Sequence, residues 1–283
     1  MRLDDLLYSQ GFGTRRVCAG LIEQGFVKGF EQLAAVESAR SATEIIVTDG
    51  MEYTVQGKHW QYHERAYLML HKPAGFECSH RPGAWPSAYS LLPAPLRQRP
   101  TKSVVQGVQA IGRLDQDTTG LLLLTDDGQF LHKMSSPKHH VPKVYQITTD
   151  REVDSKQIEQ LLAGVVLNDD PKPVKAAAAV QTGEKTLDMT LTEGKYHQVK
   201  RMIAAVGNHV VALHRSQIGS LLLGDDLPSG QWRWLTQHQI DSLQRPVSKI
   251  ALMAGKYEST GPDAGTLSTR YKELYAADIA AKY

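Results

Sequence analysis

Residues 112–128 read GRLDQDTTGLLLLTDDG, and this stretch decides how the fold is interpreted. Four consecutive leucines, residues 121–124, form a short apolar run closed by an Asp-Asp-Gly turn. Such a run is typical of a β-strand that is covered on both faces. Arg113 and Asp115 lie in the polar turn just before it. Because a buried strand is a rigid support, these two charged residues are candidates for a functional site.

The composition is that of an ordinary globular protein. Hydrophobic residues make up 41% of the 283 residues and charged residues 22%, with 32 basic and 30 acidic side chains and a formal net charge of +2. Bulk charge therefore does not indicate nucleic acid binding. No run approaches 18 apolar residues, and the N-terminus carries acids where a signal peptide carries basic residues, so we expect a cytoplasmic protein without membrane contact.

The cysteines and histidines give no sign of a metal site. Cys18 and Cys78 are far apart and form no CxxC motif, so we expect both to be small buried residues in a reducing compartment. The eleven histidines lack the spacing of zinc ligands. The sequence predicts no metal.

Local charge is more informative than the total. Residues 128–149 contain three lysines, three histidines and no acid, and residues 195–215 contain two lysines, two arginines, three histidines and no acid. Two such stretches around the candidate site favour a protein that binds phosphates. The alternative is ordinary surface charge that is balanced in space by acids from elsewhere.

The segment KYHQVKRMIAAVG, residues 195–207, predicts a helix with two distinct faces. The spacing of its side chains gives one apolar face and one basic face on roughly opposite sides. The apolar face comprises Val199, Met202, Ile203 and Val206, and the basic face comprises His197, Lys200, Arg201 and Ala204. The helix is thus expected to be anchored by one face and to present the other.

The first residues of the chain predict a small separate unit. Thr14 is placed to cap a helix whose first turn carries Arg15 and Arg16. Cations at a helix N-terminus, beside free N–H groups, can form a phosphate site, although solvated surface charge is the alternative. The polar stretch Gln56 to Glu64 is expected to be a linker.

From the local pattern alone, Asp115 has three possible roles. It could be a turn or cap residue before Thr-Thr-Gly. It could pair with Asp117 as the two carboxylates of a glycosidase-like hydrolase. It could also be a single nucleophile or base that is supported by a cation.

Several motifs resemble those of bacterial ribosomal RNA pseudouridine synthases. GRLDQDTTGLLLLTDDG is similar to their GRLDxxTxGLLLLTxDG signature, and EGKYHQVKRM resembles their EGxxxQVKRM block. KVYQI (residues 143–147) resembles their Lys-x-Tyr strand, and RAYLMLHKPAG (residues 65–75) resembles the start of their catalytic domain. The resemblance covers about residues 1–243. The sequence HQVKRMIAAVGNHVVALHR most closely resembles that of members which act on small-subunit 16S rRNA.

The resemblance implies a fold and a domain order. The fold class is α+β, with a central, mostly antiparallel mixed sheet that is flanked by helices in the catalytic domain. Residues 1–58 resemble the alpha-L RNA-binding domain, also found in small-subunit ribosomal protein four, although GFVKGFEQLAA departs from its usual basic turn. The catalytic domain would span 59–245, and a tail of unassigned role 246–283.

The resemblance also implies the site residues. Asp115 would be the catalytic carboxylate, Lys200 its cationic partner, and Tyr145 the ring that stacks on the target uracil. Arg113 would fill the base stack that a flipped uridine leaves, or hold its phosphate. The remaining predicted RNA contacts are Arg15, Arg16, Lys143, Lys195, His197 and Arg201.

The implied activity is the isomerisation of uridine to pseudouridine in rRNA, without metal, nucleotide or other cofactor. The expected partner is small-subunit rRNA, partly assembled or free of protein, and the chain is expected to be a monomer. The alternatives are an enzyme of the same family that acts on large-subunit 23S rRNA, a catalytically silent rRNA-binding assembly factor, and the two-carboxylate hydrolase.

Overall fold

The computed structural model describes residues 1–30, 45–101, 106–168 and 170–245. The predicted tail, 246–283, lies outside the described residues, as do residues 31–35, the second part of the departing GFVKGFEQLAA segment. No helix of the described ranges is long and apolar enough to cross a membrane. Cys18 and Cys78 are both free and buried, as predicted.

The first part of the chain folds as two helices beside a small antiparallel sheet. Thr14 accepts a hydrogen bond from the backbone N–H of Val17, so the predicted cap is confirmed. The strand order is β1-β2-β3. The elements are α1 (Leu3–Ser9), α2 (Arg15–Glu23), β1 (Val27–Lys28), β2 (Glu52–Val55) and β3 (Lys58–Gln61).

The presence of β3 corrects one expectation. The stretch from Gln56 to Glu64 is not a linker, because Lys58–Gln61 pairs with β2 after a turn at Gln56 and Gly57. Its side chains are mostly polar and exposed, so the strand lacks the apolar alternation that sequence patterns detect. The first sheet therefore continues past residue 58, the predicted boundary.

The rest of the described chain forms a large mixed sheet with helices on both sides. Its elements are β4 (Tyr67–Lys72), α3 (Ala94–Gln98), β5 (Gln109–Ile111), β6 (Thr119–Thr125), α4 (Gly128–Ser135), β7 (Lys143–Thr149), α5 (Ser155–Ala163), β8 (Val165–Leu167), β9 (Asp170–Val174), β10 (Ala178–Gly183), β11 (Thr186–Leu191), α6 (Gln198–Ala205), β12 (Val210–Ile218), β13 (Leu221–Leu222), β14 (Trp232–Trp234) and α7 (Gln237–Gln244). Short 3-10 turns lie at Ala88–Leu91 and Pro137–His139.

The large sheet is mostly antiparallel, as predicted. Its order in the described residues is β10-β11-β7-β12-β6-β4-β14, with β13 on β12 and β5 on β6. The pairing of β12 with β6 is parallel, and the other described pairings of this sheet are antiparallel. β8 and β9 form a separate hairpin.

Strand β6 is the centre of the core. Leu122 and Leu124 pack into one hydrophobic cluster, together with Tyr145, and Leu121 and Leu123 pack into the cluster on the opposite face. All four leucines are at most 1% exposed, which confirms the prediction of a strand covered on both faces. Burying each side chain contributes about 1.5–3 kcal/mol.

Gly120 allows β12 to approach β6 closely. Its φ is +110°, and a Cβ at this position would lie 2.3 Å from the carbonyl oxygen of Arg215. A side chain would therefore separate the two strands. This close approach fixes β12 beside the start of β6.

Arg99 joins the first unit to the large sheet. Its side chain is 2% exposed and forms an ion pair of 2.6 Å with Asp126, at the end of β6. It also donates hydrogen bonds to Oε1 of Gln10 and to the backbone carbonyl oxygens of His63 and Glu64. One buried guanidinium thus connects α1, the segment after β3 and the core.

We expect the substitution Arg99→Met to lower the free energy of unfolding by about 3–5 kcal/mol, because Asp126 would remain buried without its cation. Urea denaturation would measure the loss. The matched control is Arg97→Met, an exposed position two residues earlier, which should change the free energy by less than about 0.5 kcal/mol. Equal effects of the two substitutions would contradict the role of Arg99.

Candidate active site

The predicted site residues Arg113 and Asp115 lie in the connection between β5 and β6. Lys72, fully buried at the end of β4, holds this connection from below. Its Nζ donates hydrogen bonds to the carbonyl oxygens of Pro73 (3.0 Å), Gln116 (3.3 Å) and Thr118 (2.8 Å). The loop is therefore rigid. Burial lowers the pKa of Lys72 from its ordinary value.

Sequence analysis missed Lys72. The only signal was a lysine at the end of an apolar strand, directly before a proline. That pattern does not reveal that two of the three partners of the ammonium are backbone carbonyls more than forty residues away.

Helix α6 carries the second set of predicted residues. Val199, Met202 and Ile203 are buried in the core, which confirms the predicted apolar face. Lys200 lies on the other side and reaches the β5–β6 connection. His197, at the N-cap, has a left-handed backbone conformation with φ 48°.

The structure brings Asp115 and Lys200 together. Lys200 Nζ lies 3.3 Å from Oδ2 of Asp115, and His197 Nε2 lies 3.1 Å from Oδ1. The side chain of Asp115 is 28% exposed, so it is accessible to a ligand but partly shielded from water. Both carboxylate oxygens thus face nitrogen atoms from the start of α6.

Asp117 is also bound to Lys200. Its two oxygens lie 2.7 and 2.9 Å from Nζ, closer than those of Asp115. Asp117 is therefore the nearer carboxylate partner of the ammonium. Burial acts to raise the pKa of Asp117, but the hydrogen bond and charge of Lys200 outweigh it and the pKa is lowered.

The same contacts keep Lys200 charged. Burial alone would lower the pKa of Lys200, but the hydrogen bonds and charges of Asp117 and Asp115 raise it above its ordinary value. One ammonium is therefore shared by two carboxylates.

A cavity of about 800 Å³ opens between the β5–β6 connection, β7 and the start of α6. Its lining includes Arg113, Asp115, Tyr145 and Lys200. Tyr145 is 8% exposed and lies on β7 opposite Arg215 of β12, so both side chains share the cavity face of the sheet. The space is large enough for a nucleotide-sized ligand.

Arg215 is the second residue whose role the sequence did not predict. In the sequence it is only one of the basic residues of the stretch 195–215. Its buried guanidinium donates from Nε to the carbonyl oxygen of Leu121, and Nη2 has no hydrogen-bond partner among the described residues. Lys143, which also lines the cavity, donates to the carbonyl oxygen of Val141. Neither cation forms an ion pair in the described part of the chain, and both line the cavity.

The other predicted RNA contacts differ in their surroundings. Arg113 is exposed at the rim of the cavity. Lys195 forms an ion pair with Asp170, and Arg201 donates to the carbonyl oxygen of Tyr196.

Arg15 and Arg16 lie outside this cavity, at the start of α2 in the first unit. Arg15 forms an ion pair with Asp5 and lies over the ring of Tyr8. The structure therefore separates the first unit's arginines from the cavity residues.

The chain is similar to enzymes that modify RNA. The sequence profile of the family described as RNA pseudouridylate synthase matches residues 66–205. The ribosomal small subunit pseudouridine synthase A of Escherichia coli is 42% identical over 243 residues, which cover 86% of this chain and 100% of the relative. The enzyme of the same name from Vibrio parahaemolyticus is 37% identical over 251 residues, which cover 86% and 99%.

A solved structure shows the same likeness. A crystal structure of a pseudouridylate synthase matches with a TM-score of 0.58 and 34% identity, and the match covers 86% of this chain and 99% of the other.

The surroundings of Lys143 predict an unusual titration. Its burial and, second, the charge of Arg215 lower the pKa of Lys143 to about 8 from 10.5. Between pH 8 and pH 10.5 this lysine binds more protons in the unfolded chain than in the folded protein. The contribution of Lys143 to the free energy of unfolding should therefore rise with pH in that window.

The ¹³Cε resonance of Lys143, followed against pH by NMR in the protein without RNA, should show a midpoint near 8. In the Arg215→Met variant the midpoint should rise only part of the way toward 10.5, because burial is the larger cause. A wild-type midpoint close to 10.5 would contradict the described environment.

Proposed function

Because the chain belongs to the RNA pseudouridylate synthase family, we propose that it isomerises uridine to pseudouridine in ribosomal RNA, at a site in the small-subunit 16S rRNA. The names of the curated relatives cited above support the small-subunit target. The observation that supports the chemistry most strongly is the carboxylate of Asp115, which lies between Lys200 and His197 in the cavity.

The proposed reaction rearranges bonds without any net gain or loss of atoms. The bond between ribose C1′ and uracil N1 breaks, the ring turns within the cavity, and a bond forms between C1′ and C5. The proton on C5 leaves and N1 gains one, so nothing is oxidised and no cofactor is required. In this proposal Asp115 initiates the cleavage as a carboxylate, with the ammonium of Lys200 3.3 Å from its Oδ2.

The other residues of the cavity position the uridine. Tyr145 stacks on the uracil, and its hydroxyl assists the loss of the C5 proton. Arg113, exposed at the rim, fills the gap that the flipped base leaves or holds the adjacent phosphate. Lys143 and Arg215 line the cavity, and in this proposal they bind oxygen atoms of the nucleotide.

The contacts of Asp117 argue against the two-carboxylate hydrolase. A glycosidase needs one carboxylic acid that keeps its proton, which requires a raised pKa. The pKa of Asp117 is lowered instead, because the ammonium of Lys200 binds both of its oxygens. Asp117 is therefore poorly suited to be a general acid.

The first unit completes the proposal. We assign the first unit, which includes β3 and so extends to residue 61, to an alpha-L-type RNA-binding domain in which Arg15 and Arg16 contact RNA phosphates, and the residues that follow, up to 245, to the catalytic domain. Lys195, His197 and Arg201 add contacts near the cavity. The protein would act as a monomer in the cytoplasm on rRNA that is partly assembled or free of protein.

We expect Asp115→Asn to abolish pseudouridine formation in a 16S rRNA transcript while changing the affinity for RNA by less than about tenfold, because one partly exposed charge contributes little to binding. Mapping of pseudouridine in the transcript and a filter-binding assay would measure the two effects. Full activity of this variant would refute the assignment.

The matched control is Asp117→Asn, two residues away. In this variant Lys200 still contacts the carboxylate of Asp115, so most activity should remain. If Asp117→Asn were as damaging as Asp115→Asn and free uracil were released, the hydrolase would be the correct interpretation.

A further inference from the structure

A second concave surface lies between β3 of the first unit and β14 at the edge of the large sheet. Its volume is about 580 Å³, and its walls include three of the four tryptophans of the chain. We call this surface, formed around Trp60, Trp232 and Trp234, the tryptophan cleft. The reaction proposed above does not use it.

The indole rings of the cleft are held by packing but remain partly exposed. Trp232 and Trp234 meet edge to face with ring centroids 6.0 Å apart, and Trp60 packs edge-on against Phe12 at 5.1 Å. The ring of His63 lies 4.0 Å from that of Trp234. Fixed aromatic rings offer stacking platforms that cost little conformational entropy when a ligand binds.

A lysine and a histidine lie at the rim of the cleft. Lys58 and His59 are exposed on β3 next to Trp60. Glu52, the acid in the lining, is engaged by a hydrogen bond from Nε2 of Gln61. Aromatic faces with an adjacent cation are the combination that binds unpaired bases and their phosphates.

The cleft lies on the same face of the large sheet as the active-site cavity. Trp232 and Trp234 pack against the hydrophobic cluster that contains Tyr145. Strand β14 is four positions from β7, the strand of Tyr145, so the two lie about 19 Å apart across the sheet. The connection that begins beside the cavity at Glu77 reaches the cleft at Pro93. A single-stranded RNA segment of several nucleotides can therefore contact both the cavity and the cleft.

The two walls of the cleft are fixed relative to each other. One wall belongs to the first unit and the other to the large sheet, and Arg99 connects these parts through its buried contacts with Gln10, His63 and Asp126. The cleft is thus a built feature of the fold.

We propose that the tryptophan cleft binds unpaired bases of the substrate RNA that lie outside the target uridine, by stacking on its indoles with a phosphate beside Lys58. The inference rests on the proposed function, since the occupant is RNA. It adds a second contact point that helps to select single-stranded RNA near the target.

The test uses the intact protein and hexaadenylate, an RNA probe that contains no uridine. Hexaadenylate should quench tryptophan fluorescence, and Trp232→Leu should weaken its binding by about 5- to 150-fold, the loss of one stacked base. Trp85→Phe, an exposed tryptophan outside the cleft lining, is the control for the quenching signal. Circular dichroism would verify the folding of each variant.

A charge reversal at the rim gives a second test that does not disturb packing. Lys58→Glu should weaken hexaadenylate binding about three- to tenfold and raise KM for the rRNA transcript with kcat unchanged. The matched control is Lys28→Glu, an exposed lysine on β1 of the same small sheet, which should change affinity less than about twofold.

The outcomes separate the possibilities. Equal effects of Lys58→Glu and Lys28→Glu would show that binding depends on the overall charge of the protein and not on the cleft. That result would overturn the proposal. Binding of decaproline without binding of hexaadenylate would identify a protein partner and also overturn it. If hexaadenylate binds the cleft but no pseudouridine forms in any rRNA, the proposed function fails and the cleft remains an RNA site.

Discussion

The ion pair between Asp115 and Lys200 is the interaction on which the rest of the site depends. It joins a loop of the central sheet to a helix that lies more than eighty residues later, and both partners line the cavity. The core positions both members of this pair. The leucines of β6 hold the loop that carries Asp115, and the apolar face of α6 holds the helix that carries Lys200. Asp117 shares the ammonium, which keeps Lys200 charged and in place.

Buried cations hold the scaffold around that pair. Lys72 binds three carbonyl oxygens beneath the loop, Arg99 joins the first unit to the sheet, and Arg215 donates to the backbone of β6. Removing a cation from water is costly unless its hydrogen bonds are satisfied. Lys72 and Arg99 meet that condition with protein oxygens. Arg215 meets it only in part, because Nη2 has no hydrogen-bond partner among the described residues.

The sequence predicted the features that depend on local pattern. The leucine run of β6, the two faces of α6 and the cap at Thr14 follow from periodicity and end signals, and the motif resemblance identified Asp115, Tyr145 and Lys200 as a group. The sequence did not predict the features that depend on distant partners. Lys72, Arg99 and Arg215 bind atoms of remote segments, and the tryptophan cleft combines residues that are more than 170 positions apart. Strand β3 escaped detection because its residues are mostly polar and exposed.

The most direct test of the central claim is the single-turnover rate of pseudouridine formation in variants of Lys200. Lys200→Met removes the cation beside Asp115 and should slow the reaction by about 10²–10³-fold. Lys200→Arg restores a positive charge at the same position and should recover most of that loss. A Lys200→Met enzyme that reacts as fast as the wild type would show that Asp115 works without its ammonium partner, and the account would be wrong.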